Sequence, residues 1–383
     1  MNDTPHPPIR LAKSVVGRCE ADAVARVLIE DGYLGMGREV ELFEEELAAF
    51  LGIDRQRVMC VSSGTAALHL AVQAVTSPGD EVFVQSLTFV ATYQAITAAG
   101  AVPVSCDVVP ETITIDLRDA ERRVTSKTRA IMPVYYASNP AGVEEVYAFA
   151  ERLRLRVVED AAHAFGCHAQ GRAIGSFGDT ACFSFDGIKN ITSGEGGLVV
   201  TSDPEVARKV GDARLLGVER DTERRFAGER SWEFDVRAQG YRYHMSNLLA
   251  AVGRVQLRRL SPEFAPRRRM LARRYRANLG DVHGLRLLDV DLEQVVPHMQ
   301  PIRVLDGRRD GLREHLQKQG IATGIHYKPN HLLSFFGGGQ PRLPVTEHLY
   351  EELLTLPLHP ELDEPGVDRI TSEVARWQNG AGS

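Results

Sequence analysis

One lysine stands apart in this sequence. Ser184-Phe185-Asp186-Gly187-Ile188-Lys189-Asn190-Ile191-Thr192-Ser193-Gly194-Glu195-Gly196-Gly197 joins two apolar runs, Thr180-Ala181-Cys182-Phe183 and Leu198-Val199-Val200-Thr201. The chain holds only six lysines (Lys13, Lys127, Lys189, Lys209, Lys318 and Lys328), and arginine supplies the other basic residues. A lysine kept on a glycine-rich loop offers an amine that can lose its proton and attack a carbonyl, which arginine cannot do. The competing reading is a solvated turn lysine. Ser63-Gly64-Thr65 sits where an apolar run gives way to a helical one, and amides and hydroxyls at such a junction form an anion cradle. An ordinary N-cap is the alternative there. Asp160 closes the run Leu155-Arg156-Val157-Val158-Glu159, at the strand end where α/β sheets bind ligands. It could keep a ring nitrogen protonated, or it could cap a turn. His163, three residues on, could bond a ligand or be satisfied in place. Phe89, after Ser86-Leu87-Thr88, could lie on a flat ring or join the core. Cradle, aromatic plate, carboxylate and amine are together the parts that hold a phosphorylated pyridine aldehyde.

The elements that must position these residues alternate. Val58–Val61, Glu81–Gln85, Ala101–Cys106, Ala130–Val134 and Leu155–Val158 read as strands. Helical spacing falls between them, over Ala66–Val75, Phe89–Ala99, Leu117–Arg123 and Val143–Leu153, which predicts a mainly parallel sheet covered on both faces. Past Ser202 the rhythm changes. Asp203–Val210 reads as helix and Arg214–Arg230 as a charged loop. Ser246 caps a helix to Leu260, which Pro262 and Pro266 are placed to kink or break, before helical text resumes to Leu279. At 383 residues the chain exceeds one comfortable core. The expectation is a large α/β domain over residues 1–250 and a smaller α+β domain over 251–383, sharing that long helix.

Composition narrows the function. With 43% hydrophobic and 25% charged residues the chain reads as soluble and globular, and a net charge of −6 argues against nucleic acid as a partner. The five cysteines form no C-x-x-C pair; Cys60, Cys106 and Cys182 lie in strand-like runs and read as buried thiols, so no metal site is expected. The polar, proline-rich first eight residues do not read as a signal peptide, and no run reaches membrane-spanning length. A cytoplasmic protein with no membrane partner is expected.

Taken in order, Val61-Ser62-Ser63-Gly64-Thr65-Ala66-Ala67-Leu68, Gly79-Asp80-Glu81-Val82, Thr88-Phe89-Val90-Ala91-Thr92, Val158-Glu159-Asp160-Ala161-Ala162-His163-Ala164 and the Ser184–Gly197 loop resemble the motifs of the DegT/DnrJ/EryC1/StrS sugar aminotransferases. The similarity runs from about Gly32 to Leu358. It implies the pyridoxal-phosphate-dependent transferase fold type I, with a seven-stranded, mostly parallel sheet. It also implies that Lys189 carries pyridoxal 5′-phosphate as a Schiff base and shuttles a proton, that Asp160 pairs with the ring nitrogen, and that Phe89 stacks on the ring. His163 would lie near the ring's O3′ edge, and Ser63, Gly64, Thr65 and Ser184 would hold the phosphate. In this family a homodimer partner completes the site through a segment that here reads Gly240-Tyr241-Arg242-Tyr243-His244-Met245-Ser246-Asn247. Arg242 replaces the usual asparagine and can bind phosphate bidentately. Tyr33 and Leu34, in the Gly32–Gly37 loop, and His326, Tyr327 and Lys328 are the implied substrate contacts. A solvated loop residue is the other reading of Lys328, and for the arginines of 214–230 a solvated loop is preferred to contact with an anionic substrate.

The implied activity is transfer of an amino group from L-glutamate or glutamine to a keto-sugar, a nucleotide-linked 3- or 4-keto-6-deoxyhexose, in amino-sugar, glycan or antibiotic biosynthesis. The alternatives are amination of a keto-cyclitol, and a non-catalytic regulator that binds the cofactor or a sugar. An intact Lys189 and Asp160 weigh against the second.

Overall fold

The computed structural model describes residues 7–218, 235–339 and 341–380. Two helices, α1 (Arg18–Arg26) and α2 (Arg38–Leu51), precede the main sheet. The chain then runs β1 (Val58–Val61), α3 (Gly64–Val75), β2 (Glu81–Gln85), α4 (Val90–Ala98), β3 (Val102–Cys106), α5 (Leu117–Glu121), β4 (Thr128–Met132), α6 (Val143–Leu153) and β5 (Arg156–Asp160). A short hairpin, β6 (His168–Ala169) with β7 (Arg172–Ala173), leads to β8 (Thr180–Ser184), β9 (Gly197–Thr201) and α7 (Pro204–Ala213).

Seven strands form one sheet in the order β1-β9-β8-β5-β4-β2-β3. Every neighbouring pair is parallel except those made by β9, which runs antiparallel to both β1 and β8. The predicted mainly parallel sheet therefore holds, with one reversed strand. β8 and β9 are buried along their whole lengths, as both-face burial requires. α3 is buried nearly all round, from Ala66 to Ala74, so it reads as a continuous apolar run and not as an amphipathic stripe. α6 shows the stripe instead, burying Val143, Val146, Phe149 and Ala150. Besides Cys60, Cys106 and Cys182, Cys167 is buried, although its polar neighbours gave no strand signal.

The helix Asn247–Arg259 starts where expected, and Ser246 Oγ accepts from the Leu249 amide at 3.4 Å. Pro262 does not end it. Leu260–Phe264 widens into a π turn that takes in Pro262, and helix Ala265–Leu279 continues directly from it with Pro266 at its second position. A second sheet, β10 (Leu285–Leu287), β11 (Gln300–Val304) and β12 (Leu353–Leu356), is antiparallel. Its own core includes Leu271, Tyr275, Leu312, Leu316, Ile370 and Val374.

The N-terminal segment bridges these layers. The Ile9 amide donates to the Gly320 carbonyl (2.9 Å), the Leu358 amide donates to the Leu11 carbonyl (3.1 Å), and Ser14 Oγ donates to the Gly187 carbonyl (2.5 Å), inside the lysine loop. Among the described residues no helix is long and apolar enough to cross a membrane.

Candidate active site

β1, β2, β5 and β8 all end at the same edge of the main sheet, so their following loops converge. The residues picked out by type are the ones these ends deliver. Asp160 is the last residue of β5, paired in register with Cys182 of β8, and Ser184 closes β8 two residues later. Lys189 follows on the β8–β9 connection, and the Phe89 backbone caps α4 after β2.

The N-terminus of α3 is set tightly against β8. A Cβ on Gly64 would stand 2.7 Å from the Ser184 Cβ, and one on Gly197 would stand 2.3 Å from the Ser63 carbonyl oxygen. Glycine is required at both positions for the helix start, the Ser184 hydroxyl and the lysine loop to share one corner. Ser63 Oγ accepts from the Ala66 amide at 3.1 Å, so Ser63 is an N-cap as well as a cradle residue. The Gly64 and Thr65 amides belong to the first turn, where no intrahelical acceptor exists, and they remain available to an anion.

Asp160 is buried and accepts from Thr92 Oγ1 at 2.7 Å and from the Ala162 amide at 3.2 Å. Burial still pushes its carboxyl pKa up, against those two bonds and the pull of Lys189. The site thus holds a carboxylate whose cationic partner is incomplete, which a protonated pyridine nitrogen would supply. Burial lowers the Lys189 amine, with Asp186 and Asp160 pulling the other way, and this raises the fraction of uncharged nucleophile. His163 is held well below its ordinary value by burial, with Lys189 and His326 adding to the effect, and its Nδ1 is buried without a partner among the described residues. The residues present therefore fit a phosphorylated pyridine with a polar ring edge.

Phe89 is 52% exposed, unusual for a phenylalanine beside a core, and its ring lies 5.5 Å from that of Tyr327. The Tyr327 hydroxyl is 3.4 Å from His163 Nε2, so the His326-Tyr327 segment reaches the same corner. His326 Nδ1 pairs with Thr355 Oγ1 at 2.9 Å, and its carbonyl accepts from the Tyr136 hydroxyl. Burial lowers its pKa to about 4, so its ring is neutral near pH 7. Lys328 is exposed on the same loop.

Tyr33 and Leu34 are exposed on a loop whose shape depends on one buried side chain. Asn247 Oδ1 accepts from the amides of Gly37 (3.1 Å) and Glu39 (3.2 Å), and Nδ2 donates to the Tyr33 carbonyl (2.8 Å). Arg242 is exposed on a stretch whose backbone pairs with Leu215 and its neighbours. Arg214 departs from expectation. It is buried, ion-paired to Glu44 at 2.6 Å and bonded to the Cys60 carbonyl, because its chain position is the end of α7 and not a solvated loop. Residues 219–230 of that stretch lie outside the described residues.

Sequence reasoning missed Thr92, Asn247, Thr355, Tyr136 and His298, whose ring stacks on that of His163 at 4.5 Å. Asn247 was legible in principle, as an amide beside a capping serine; nothing local marked the others.

Comparison with known proteins agrees with this geometry. The family model of the DegT/DnrJ/EryC1/StrS aminotransferases matches residues 16–375. A dTDP-4-dehydro-2,3,6-trideoxy-D-glucose 4-aminotransferase from Saccharopolyspora spinosa is 35% identical over 373 residues, 96% of each chain. Among solved structures, the aminotransferase TlmJ from Streptoalloteichus hindustanus is 33% identical, with a TM-score of 0.90 over 98% of this chain and 100% of that one. The Helicobacter pylori aminotransferase PseC, involved in the biosynthesis of pseudoaminic acid, is 26% identical, with a TM-score of 0.89 over 97% of this chain and 100% of that one. The chain belongs to the DegT/DnrJ/EryC1/StrS aminotransferase family, and is a pyridoxal-phosphate-dependent transaminase.

Proposed function

We propose that this enzyme moves an amino group from L-glutamate or glutamine to a nucleotide-linked 3- or 4-keto-6-deoxyhexose. The observation that carries the reading is the single corner where the α3 N-terminus, Ser184, Asp160 and Lys189 meet. The Saccharopolyspora relative, similar over nearly the whole of both chains, supports the choice of a nucleotide keto-sugar.

When bound, pyridoxal phosphate supplies an electron sink that stabilises negative charge at the carbon losing or gaining a proton. The chain does the rest. The Gly64 and Thr65 amides, with the hydroxyls of Ser63, Thr65 and Ser184, hold the phosphate. Asp160, braced by Thr92, keeps the ring nitrogen protonated. Phe89 would pack against the bound ring, and neutral His163 would offer a ring nitrogen to its polar edge. Lys189 would hold the cofactor covalently and, once released as a free amine, would take up and return the proton at the donor or sugar carbon. Tyr33, Leu34, His326, Tyr327 and Lys328 face the sugar or its diphosphate. A second copy of the chain contributes Arg242 to the phosphate, making a homodimer with shared sites. With the boundary at 250/251, the two domains would share the helix Asn247–Arg259 and would not be joined by a loose tether.

Replacing Lys189 by alanine tests this reading. The variant is expected to lose the visible absorbance of the bound cofactor and roughly 10³-fold in turnover. Adding glutamate to wild-type holoenzyme should bleach that absorbance, and a keto-sugar nucleotide should restore it. A Lys189→Ala enzyme with normal absorbance and turnover would remove the lysine from its role.

A further inference from the structure

Two consecutive residues on the connection from β4 to α6 adopt a backbone that non-glycine residues avoid. Ala137 and Ser138 have φ of 52° and 72°. Such strain persists only where the surroundings over-determine it. Here the surroundings are explicit. Ser138 is fully buried, its Oγ donates to the His163 carbonyl at 2.5 Å, and the same oxygen accepts from the His298 amide at 2.9 Å. One hydroxyl therefore joins the backbone of the loop after β5 to the backbone leading into β11.

Those two backbones carry the stacked imidazoles. His163 and His298 lie 4.5 Å apart with planes 30° from parallel, and the Nδ1 atom of each is buried without a hydrogen-bond partner among the described residues. Among the described residues, the ring-nitrogen contact of this pair is with the Tyr327 hydroxyl, at a long 3.4 Å from His163 Nε2. Ring orientation is thus poorly fixed by bonds to ring nitrogens. It follows from the stack and from the two main-chain anchors, and both anchors end on Ser138 Oγ.

We propose that Ser138 is a positioning residue for His163: its hydroxyl clamps both backbones of the His163–His298 stack and so sets the plane in which His163 meets the cofactor. This rests on the reading that His163 fronts pyridoxal phosphate. It assigns the left-handed turn at Ala137-Ser138 a purpose, which is to bring a hydroxyl between two chain segments that are 135 residues apart in sequence (163 and 298).

Three variants of the full-length chain separate the hydroxyl from the strain. Ser138→Ala removes the hydroxyl and keeps the φ cost, Ser138→Gly removes both, and His298→Gln removes the stacked ring while leaving the clamp. Each apoenzyme is titrated with pyridoxal phosphate, and the induced circular dichroism of the bound cofactor is recorded beside its thermal melting. Weaker cofactor binding by about tenfold and a changed dichroism amplitude are expected in all three. Ser138→Gly should match Ser138→Ala in both. Wild-type affinity and dichroism in the two Ser138 variants, with only a lowered melting temperature, would show a merely structural serine and overturn the proposal. A Ser138→Gly enzyme that behaves as wild type while Ser138→Ala does not would assign the effect to backbone strain and overturn it equally. A wild-type chain that binds no pyridoxal phosphate would instead bring down the reading beneath it.

Discussion

At the scale of single residues, charge is placed by burial as much as by pairing. Asp160 is costly as a lone buried carboxylate and becomes favourable when a ring cation arrives. Asp160→Asn keeps the shape but cannot hold that cation, so kcat should fall by roughly 10²–10³, measured in a coupled glutamate assay. Its neighbour Glu159 points to the opposite face of β5, where the hydroxyls of Tyr135 and Tyr147 each donate to it at 2.6 Å. Burial raises its pKa from 4.5 to about 7. The folded chain therefore binds this proton more tightly than the unfolded chain. The associated stability is full below about 4.5 and is lost as pH rises through about 7. Glu159→Gln should flatten that fall, worth on the order of 3 kcal/mol, when urea unfolding is compared at pH 5 and pH 8. The lysine, the aspartate and the cradle glycine were legible in the sequence because their chemistry depends on residue type at a strand end. Thr92, His298 and Ser138 were not, since threonine, histidine and serine have many uses and their partners lie far along the chain.

At the scale of elements, the main sheet was readable because its strands are short apolar runs separated by helices of ten or so residues. Reversal of β9 left no trace in its own residues, because a strand buried on both faces looks alike in either direction. The loop carrying Tyr33 and Leu34, proposed to face the substrate, depends on the first residue of the helix Asn247–Arg259. Asn247→Ala would leave the Gly37 and Glu39 amides without their shared acceptor, at about 1–3 kcal/mol. Because those amides sit at the base of Tyr33 and Leu34, KM for the keto-sugar should rise several-fold more than kcat falls. An equal loss in both would mean that the loop does not meet substrate in the way proposed.

At the scale of the whole molecule, the exposed Arg242 and the half-exposed Phe89 become intelligible if a second copy closes the site. Lys189→Ala and Arg242→Ala chains would each be impaired alone. Unfolded together and refolded as a mixture, they should regain about one quarter of wild-type activity, since half the dimers are mixed and each has one intact site. No recovery would place Arg242 outside the partner's site. The reversed β9 carries one more consequence, in terms of folding order. β8 and β9 are the only sequence-adjacent strands of the main sheet joined as an antiparallel pair, so the lysine loop closes locally, while Asp160, Phe89 and the α3 cradle each arrive through a longer crossover. The amine is the part of the catalytic apparatus that a refolding chain can place first, and the site that makes it reactive is the part that must wait for the rest of the sheet.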